Sequence, residues 1–348
     1  METQEHSRPK RNPVARTERK AVSMSPQSLV KSSYLEPGQM LPLMVEPAAA
    51  DLSLANWSRK NQDFIGRELS RHGAILFRGF ELKSVGQFEE FATTICPQLF
   101  DEYGDLPREG VSGKVYGSTP YPADQAILFH NESSHMHRWP MKIWFYCVTA
   151  AKQGGETPIV DCRKIYQLLD PKIRDRFEEK QLMYVRNYTD GLDVGWQSFF
   201  QTTEKSVVED YCRRAGIDFE WKNNNGLRTR QICRAVSRHP KTGEMVFFNQ
   251  VQLHHPSCVD SATRLSLCAL FREEDLPRNV YYGDGTPIED SVIQEICELY
   301  WQTSVRFPWR EGDVVMLDNM LTAHGRMPFD GPRKIVVAIG EIVDSRAV

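Results

Sequence analysis

The sequence has no long hydrophobic run. Nothing in it approaches the roughly 18 to 20 consecutive apolar residues of a membrane span, which excludes a helical membrane protein. The opening segment METQEHSRPKRNPVARTERKAVSMSPQS has no apolar stretch between a basic start and a small-residue cleavage site, so no secretory leader is expected. The eight cysteines are scattered without a CxxC pair, and zinc-ribbon and thioredoxin-type readings fail on that spacing. A chain of 348 residues can bury a core without disulfides, so reduced thiols in a cytoplasmic protein are expected. Neither sign of charge dominates. The 43 Lys and Arg oppose 46 Asp and Glu for a formal net charge of −3, which lacks the electrostatic footprint of a nucleic-acid binder. There is no internal repeat and no Gly-rich phosphate loop leading into a helix, so nucleotide binding has no support.

What is present is an ordinary globular mixture, 41% apolar and 26% charged. Residues 1–33 are polar and basic with three prolines, and are expected to form a disordered tail with no catalytic part. Residues 34–348 are expected to form a single domain. Apolar residues recur at helical spacing over 53–71, 85–96 and 289–301, with shorter helical segments at 163–169 and 171–178. Strands are predicted at 74–77, 126–129, 141–149, 157–160, 182–188, 229–236, 244–248, 313–317 and 335–342, and a Gly- and Pro-rich loop over 102–124. Many short strands with helices early and between them predict a mainly β fold with helical insertions, a β-sandwich or jelly roll.

The segment Leu128-Phe129-His130-Asn131-Glu132 carries the first chemical signal. His130 and Glu132 are two apart at the end of an apolar strand, so an extended backbone points both side chains to one face. An imidazole and a carboxylate placed that way can hold adjacent positions of one metal ion. The third ligand must come from a distant strand, and His324, in a loop just past the strand 313–317, is the candidate. Two histidines and one carboxylate make the facial triad of non-haem Fe(II) oxygenases, with three coordination positions left open. Arg333 follows nine residues after His324, and Thr157 lies in a Gly-Gly-Glu-Thr-Pro turn between the ligand segments.

With these residues in view, the sequence resembles the taurine dioxygenase superfamily of Fe(II)/2-oxoglutarate-dependent oxygenases. Within it, the likeness is to amino-acid β-hydroxylases of non-ribosomal peptide pathways, of the syringomycin aspartyl-hydroxylase type. The likeness runs from His72-Gly73-Ala74-Ile75-Leu76-Phe77-Arg78-Gly79-Phe80 to the last strand. Its specific parts are Phe129-His130-Asn131-Glu132, Gly154-Gly155-Glu156-Thr157-Pro158, Phe248-Asn249-Gln250, Ala323-His324-Gly325-Arg326 and Gly331-Pro332-Arg333. The resemblance implies a double-stranded β-helix with Fe(II) on His130, Glu132 and His324. It implies 2-oxoglutarate with its distal carboxylate on Arg333 and Thr157, O2 as co-substrate, and ascorbate as reductant. Arg is the right residue there, because its planar fork meets a carboxylate bidentately.

Two departures narrow the chemistry. The commoner motif has Asp where Glu132 stands, while Glu occurs in the asparagine-oxygenase-like branch. Halogenating relatives have a small residue there to admit chloride, so Glu132 favours hydroxylation. Taurine-type members carry an Arg four residues after the cosubstrate Arg, and Val337 in that place argues against a sulfonate. The expected substrate is an amino acid or a derivative, carried on a peptidyl carrier protein in the antibiotic-type pathways the resemblance implies. Asn131 and Arg326 are candidate substrate-binding or ligand-orienting residues, and His135 is a candidate for lining the pocket. His254 and His255 are expected to line the pocket or hold structure, and Trp144-Phe145-Tyr146 to lie in the core. The alternatives are desaturation, cyclisation or epoxidation at the same iron, or a non-catalytic ligand-binding β-barrel.

Overall fold

The aromatic and β-branched run at 141–149 lies in the long strand Arg138–Thr149, whose alternation sends side chains to two layers. Ile143, Phe145 and Cys147 enter one core cluster, and Trp144 and Tyr146 enter another on the opposite face. The computed structural model describes residues 29–100, 110–118, 121–188 and 193–345. In chain order its strands begin with β1 (Val30–Tyr34), β2 (Leu43–Pro47), β3 (Ala74–Phe77), β4 (Gly110–Ser112), β5 (Val115–Gly117) and β6 (Ile127–His130). Next come β7 (Arg138–Thr149), β8 (Gln153–Gly154), β9 (Ile159–Asp161), β10 (Leu182–Tyr188), β11 (Asp218–Trp221) and β12 (Leu227–Cys233). The remainder are β13 (Val236–Arg238), β14 (Met245–Phe247), β15 (Arg278–Tyr282), β16 (Val314–Asp318), β17 (Thr322–Arg326), β18 (Phe329–Asp330) and β19 (Lys334–Asp344).

Among the described residues the large sheet runs β1-β2-β3-β16-β7-β19-β5-β4, with β2 and β3 its parallel pair. A short sheet, β6-β17-β9, packs across a shared core in which Ile159 meets Phe145, Val315 and Val337. Two sheets closed around one core make the expected jelly roll. Helices Leu54–Arg59, Gln62–His72 and Val85–Ile95 cover the outer face of the large sheet through Trp57, Ile65, Phe88 and Phe91. The remaining helices surround the second sheet, β11-β12-β10-β15. A buried bidentate pair, Arg78 Nε and Nη2 to Asp313 at 3.0 and 2.7 Å, joins the end of β3 to the start of β16. No helix among the described residues is long and apolar enough to cross a membrane.

The structure corrects several expectations. The helix over 53–71 is two helices, because Ser53 caps the first and Asn61 turns back to give its side-chain N–H to Trp57 O at 2.8 Å. The loop over 102–124 contains the β4–β5 hairpin, while residues 101–109 and 119–120 lie outside the described residues. The chain enters its first strand at Val30, inside the stretch expected as tail, and residues 1–28 lie outside the described residues. Helices Lys205–Ala215 and Ser261–Leu270 and strand β15 were not expected. The first buries only Val208 and Cys212, and the second buries no residue fully, so neither carries a strong apolar stripe. His324 sits within β17 and not in a loop.

Candidate active site

β6 and β17 pair antiparallel with His130 directly opposite His324, which brings the two imidazole centroids to 4.3 Å. The approach is close enough that a Cβ at Gly325 would stand 2.7 Å from Ile127 O, so a side chain next to His324 has no room. Glu132 follows two residues after His130, as the extended spacing required. One ligand atom from each of His130, Glu132 and His324 lies within 4.8 Å of the others. His130 gives its Nδ1–H to Leu128 O at 2.9 Å, which leaves Nε2 with the lone pair a metal needs. Two imidazole nitrogens and one carboxylate oxygen, all from short rigid segments, fit Fe(II) in a three-ligand facial arrangement.

The turn after β16 holds this constellation. Glu132 N–H donates to Asn319 Oδ1 at 2.8 Å, and Asn319 Nδ2 donates to Glu132 O at 2.9 Å and Pro140 O at 2.8 Å. The turn itself is capped by Asp318, whose Oδ1 accepts from Met320 N and Leu321 N at 3.1 Å each. His239 accepts from Thr242 N through Nδ1, so its Nε2–H is the donor to Asp318 Oδ2 at 3.1 Å. On the other side Gln250 Nε2 donates to Asn131 O at 2.9 Å. Neither Asn319 nor Asp318 carries a signal in the sequence, since both follow a strand in an unremarkable turn.

A second group assembles beside the first. Arg333, just before β19, donates from Nε to Gly155 O at 2.9 Å, and its guanidinium lies 5.4 Å from the Phe329 ring centre. Gly155 has φ +72°, and a Cβ there would meet Arg333 Cδ at 2.9 Å, so the turn needs glycine on both counts. Burial, with Arg326 adding repulsion, pushes the Arg333 pKa down to about 10, still high enough to keep it cationic at neutral pH. Among the described residues no carboxylate forms an ion pair with it. Thr157 Oγ1 accepts from Trp309 Nε1 at 3.2 Å, which leaves the Thr157 O–H as a donor. Arg333, Thr157 and Val337 border a small cavity together with His130 and His324. A cation and a hydroxyl donor at one end and metal ligands at the other fit a short dicarboxylate such as 2-oxoglutarate. Trp309 was not singled out in the sequence.

A larger cavity of about 970 Å³ opens on the other side of the ligands, bordered by His130, Glu132, Gln250, Gln252 and His254. The ligand set therefore stands between two cavities that share His130 and Ile127.

Three expectations for substrate contact are corrected. Asn131 is fully buried, with Nδ2 donating to Asn319 O at 2.6 Å and Oδ1 accepting from Asn249 N at 3.3 Å, so it ties segments together behind the site. Arg326 gives its terminal N–H groups to the carbonyls of Tyr121, Pro122 and Gln125 at 3.0, 2.5 and 2.7 Å, anchoring the segment that leads into β6. His135 is buried between Tyr184 and His254, at ring distances of 5.8 and 5.2 Å, and borders neither cavity. His254 borders the large cavity, while His255 is structural, with Nε2 on Ile288 O at 3.1 Å. Trp144 and Tyr146 are core, and Phe145 is core that also borders the small cavity and lies 5.0 Å from the His324 ring.

Comparison with known proteins agrees with this geometry. Residues 38–339 match the family described as taurine catabolism dioxygenase TauD, TfdA family. The chain is 39% identical to the dapdiamide synthesis protein DdaC of Enterobacter agglomerans, over 78% of this chain and 83% of that protein. It is 28% identical to a clavaminate synthase-like protein of Arabidopsis thaliana, over 86% of this chain and 93% of that protein. In fold it is similar to PvcB of Pseudomonas aeruginosa, with a TM-score of 0.54 at 14% identity, covering 92% of this chain and 93% of that one. A second PvcB structure, described as an Fe, alpha-ketoglutarate dependent oxygenase from an isonitrile synthetic pathway, gives 0.54 at 14%, over 93% and 96%. These matches set aside the non-catalytic barrel. The chain belongs to the TauD, TfdA dioxygenase family and is a 2-oxoglutarate-dependent non-haem iron oxygenase.

Proposed function

We propose that this protein hydroxylates an aliphatic carbon of an amino acid or amino-acid derivative, with His130, Glu132 and His324 holding Fe(II) and Arg333 and Thr157 holding the distal carboxylate of 2-oxoglutarate. The observation that carries the reading is the convergence of those three ligand atoms within 4.8 Å at the junction of two cavities. When bound, iron and 2-oxoglutarate supply the oxidising chemistry, in which O2 and 2-oxoglutarate give succinate and CO2 while a C–H bond becomes C–OH. The chain supplies position. Arg333 neutralises and orients one carboxylate, Thr157 donates to it because Trp309 occupies its acceptor side, and the His130–Leu128 hydrogen bond sets the imidazole tautomer. Phe145 and Val337 wall the small cavity with apolar surface that keeps water out of it.

The substrate class is supported by the likeness to DdaC, a protein named for dapdiamide synthesis, and places this protein in antibiotic-type biosynthesis. A cavity of about 970 Å³ sits near the upper end of the ~300–1,000 Å³ range of ligand sites, which suits a derivative carried on a peptidyl carrier protein better than a bare amino acid. Residence in the cytoplasm belongs to the same reading and is supported by eight cysteines that are all free. The test is mass spectrometry of reactions with free amino acids and their carrier-bound thioesters. Gain of one oxygen with stoichiometric succinate is expected. Loss of two hydrogens would assign desaturation instead, and equal rates for free and tethered forms would remove the carrier.

A further inference from the structure

Gln250 and Gln252 both border the large cavity that contains His130 and Glu132. They are 1% and 3% exposed, and neither carboxamide oxygen has a hydrogen-bond partner among the described residues. The orientation of Gln250 is locked. Its Nε2 donates to Asn131 O at 2.9 Å, its backbone N–H donates to Tyr184 Oη at 2.9 Å, and its carbonyl accepts from His254 Nδ1 at 3.2 Å. With the amide nitrogen engaged by a carbonyl, a flip cannot turn Oε1 into a donor. A buried acceptor without a donor is costly, and native folds seldom tolerate one unless a ligand or ion completes it. Here two such oxygens stand two residues apart on one wall, beside the ligand carboxylate.

We infer that Gln250 and Gln252 form an acceptor pair for an N–H group of the substrate, either a protonated amine or an amide, and so orient the substrate against the face of the site that carries His130 and Glu132. The inference rests on the oxygenase reading above and adds a requirement to it: the substrate presents a nitrogen-borne donor to this wall. Neutral carboxamides accept from either source without setting the charge. The pair fixes orientation, and the choice of carbon follows from which C–H the anchored nitrogen leaves nearest the iron ligands.

The test uses full-length protein loaded anaerobically with Fe(II) and 2-oxoglutarate, whose visible charge-transfer band reports the iron site independently of substrate. Three probe sets are compared: the proteinogenic L-amino acids as free acids and N-acetylcysteamine thioesters, the same set N-acetylated, and the corresponding des-amino acids. Wild-type enzyme is expected to turn over at least one amine or amide probe and to reject its des-amino counterpart by about 100-fold or more in kcat/KM. Gln252→Leu is expected to keep the band and the KM for 2-oxoglutarate while raising the KM for the nitrogen-bearing probe about tenfold or more. Gln252→Glu separates the sources, keeping KM low for an amine and raising it for an amide. Equal turnover of the des-amino probe overturns the inference, as does an unchanged probe KM in Gln252→Leu. So does a wild-type enzyme that shows the band and turns over no amine or amide probe. Absence of the band in wild type is a different failure, that of the iron reading itself. The des-amino comparison needs no variant and decides the matter even where a substitution prevents folding.

Discussion

Asn319 and Glu132 hold one another by a reciprocal pair of hydrogen bonds, 2.8 Å from the Glu132 N–H to Asn319 Oδ1 and 2.9 Å from Asn319 Nδ2 to the Glu132 carbonyl. Both residues are buried, and the same Nδ2 also reaches Pro140 O. Asn319→Ala leaves a buried N–H and two carbonyls without partners, and should cost on the order of 3 kcal/mol of stability. It should also weaken Fe(II) binding by about 10- to 100-fold, the usual effect of losing a partner that orients a ligand. Asn319→Asp retains the acceptor for Glu132 and should lose less of both. Thermal melts and Fe(II) titration of the two variants check this. An iron affinity unchanged in Asn319→Ala contradicts it.

Arg333 meets its target as a fork. Arg333→Lys keeps a charge but loses the two-point geometry, so the KM for 2-oxoglutarate should rise about tenfold or more with the substrate KM unmoved. Trp309→Phe should produce a smaller rise, about threefold, because Thr157 then loses the donor that turns its own O–H toward the cavity. Steady-state kinetics with 2-oxoglutarate varied separates the two effects.

Affinity for 2-oxoglutarate should also depend on pH in one direction. Burial lowers the Arg333 pKa to about 10, so the cation is complete at pH 7 to 9 and is lost as pH rises through that value. The dissociation constant measured by anaerobic titration should be flat to about pH 9 and rise above pH 10. A flat profile through pH 11 would mean another residue carries the carboxylate.

His255 predicts a loss of stability in acid. Burial lowers its pKa below the ordinary 6.5, while its Nε2–H donates to Ile288 O and its Nδ1 accepts from Ser257 N at 3.2 Å. The folded state thus resists a proton that the unfolded chain takes up below pH 6.5. This contribution is intact above that pH and is lost as pH falls toward the depressed folded value. Tm should drop between pH 7 and pH 5, and His255→Gln should flatten the slope. Equal slopes in the two proteins would show that His255 has no part in it.

The parts of the site legible in the sequence are those a local rule controls. His130 and Glu132 could be paired because a strand returns to the same face every second residue, and the strand at 141–149 announced itself by aromatic and β-branched content. His324 was found as a ligand but misplaced in a loop, since Thr-Ala-His-Gly-Arg has no apolar alternation, although every residue of β17 is buried. Asn131 and Arg326 looked available to a substrate because polarity beside a ligand suggests it. Their partners, Asn319 on one side and the carbonyls of Tyr121, Pro122 and Gln125 on the other, are contacts between distant segments that no spacing encodes. The helix Ser261–Leu270 escaped notice for the opposite reason. It buries no residue fully, and with Leu265 and Leu270 exposed it offers no apolar stripe.

The ligand set is tested most directly by anaerobic titration of the 2-oxoglutarate-saturated protein with Fe(II), comparing wild type with His130→Ala, Glu132→Ala and His324→Ala. Wild type should develop the visible charge-transfer band with one equivalent of iron and turn over to succinate on admission of O2, and the single variants should lose both while remaining folded. A folded variant that retains the band and full succinate formation would contradict the assignment of iron to His130, Glu132 and His324.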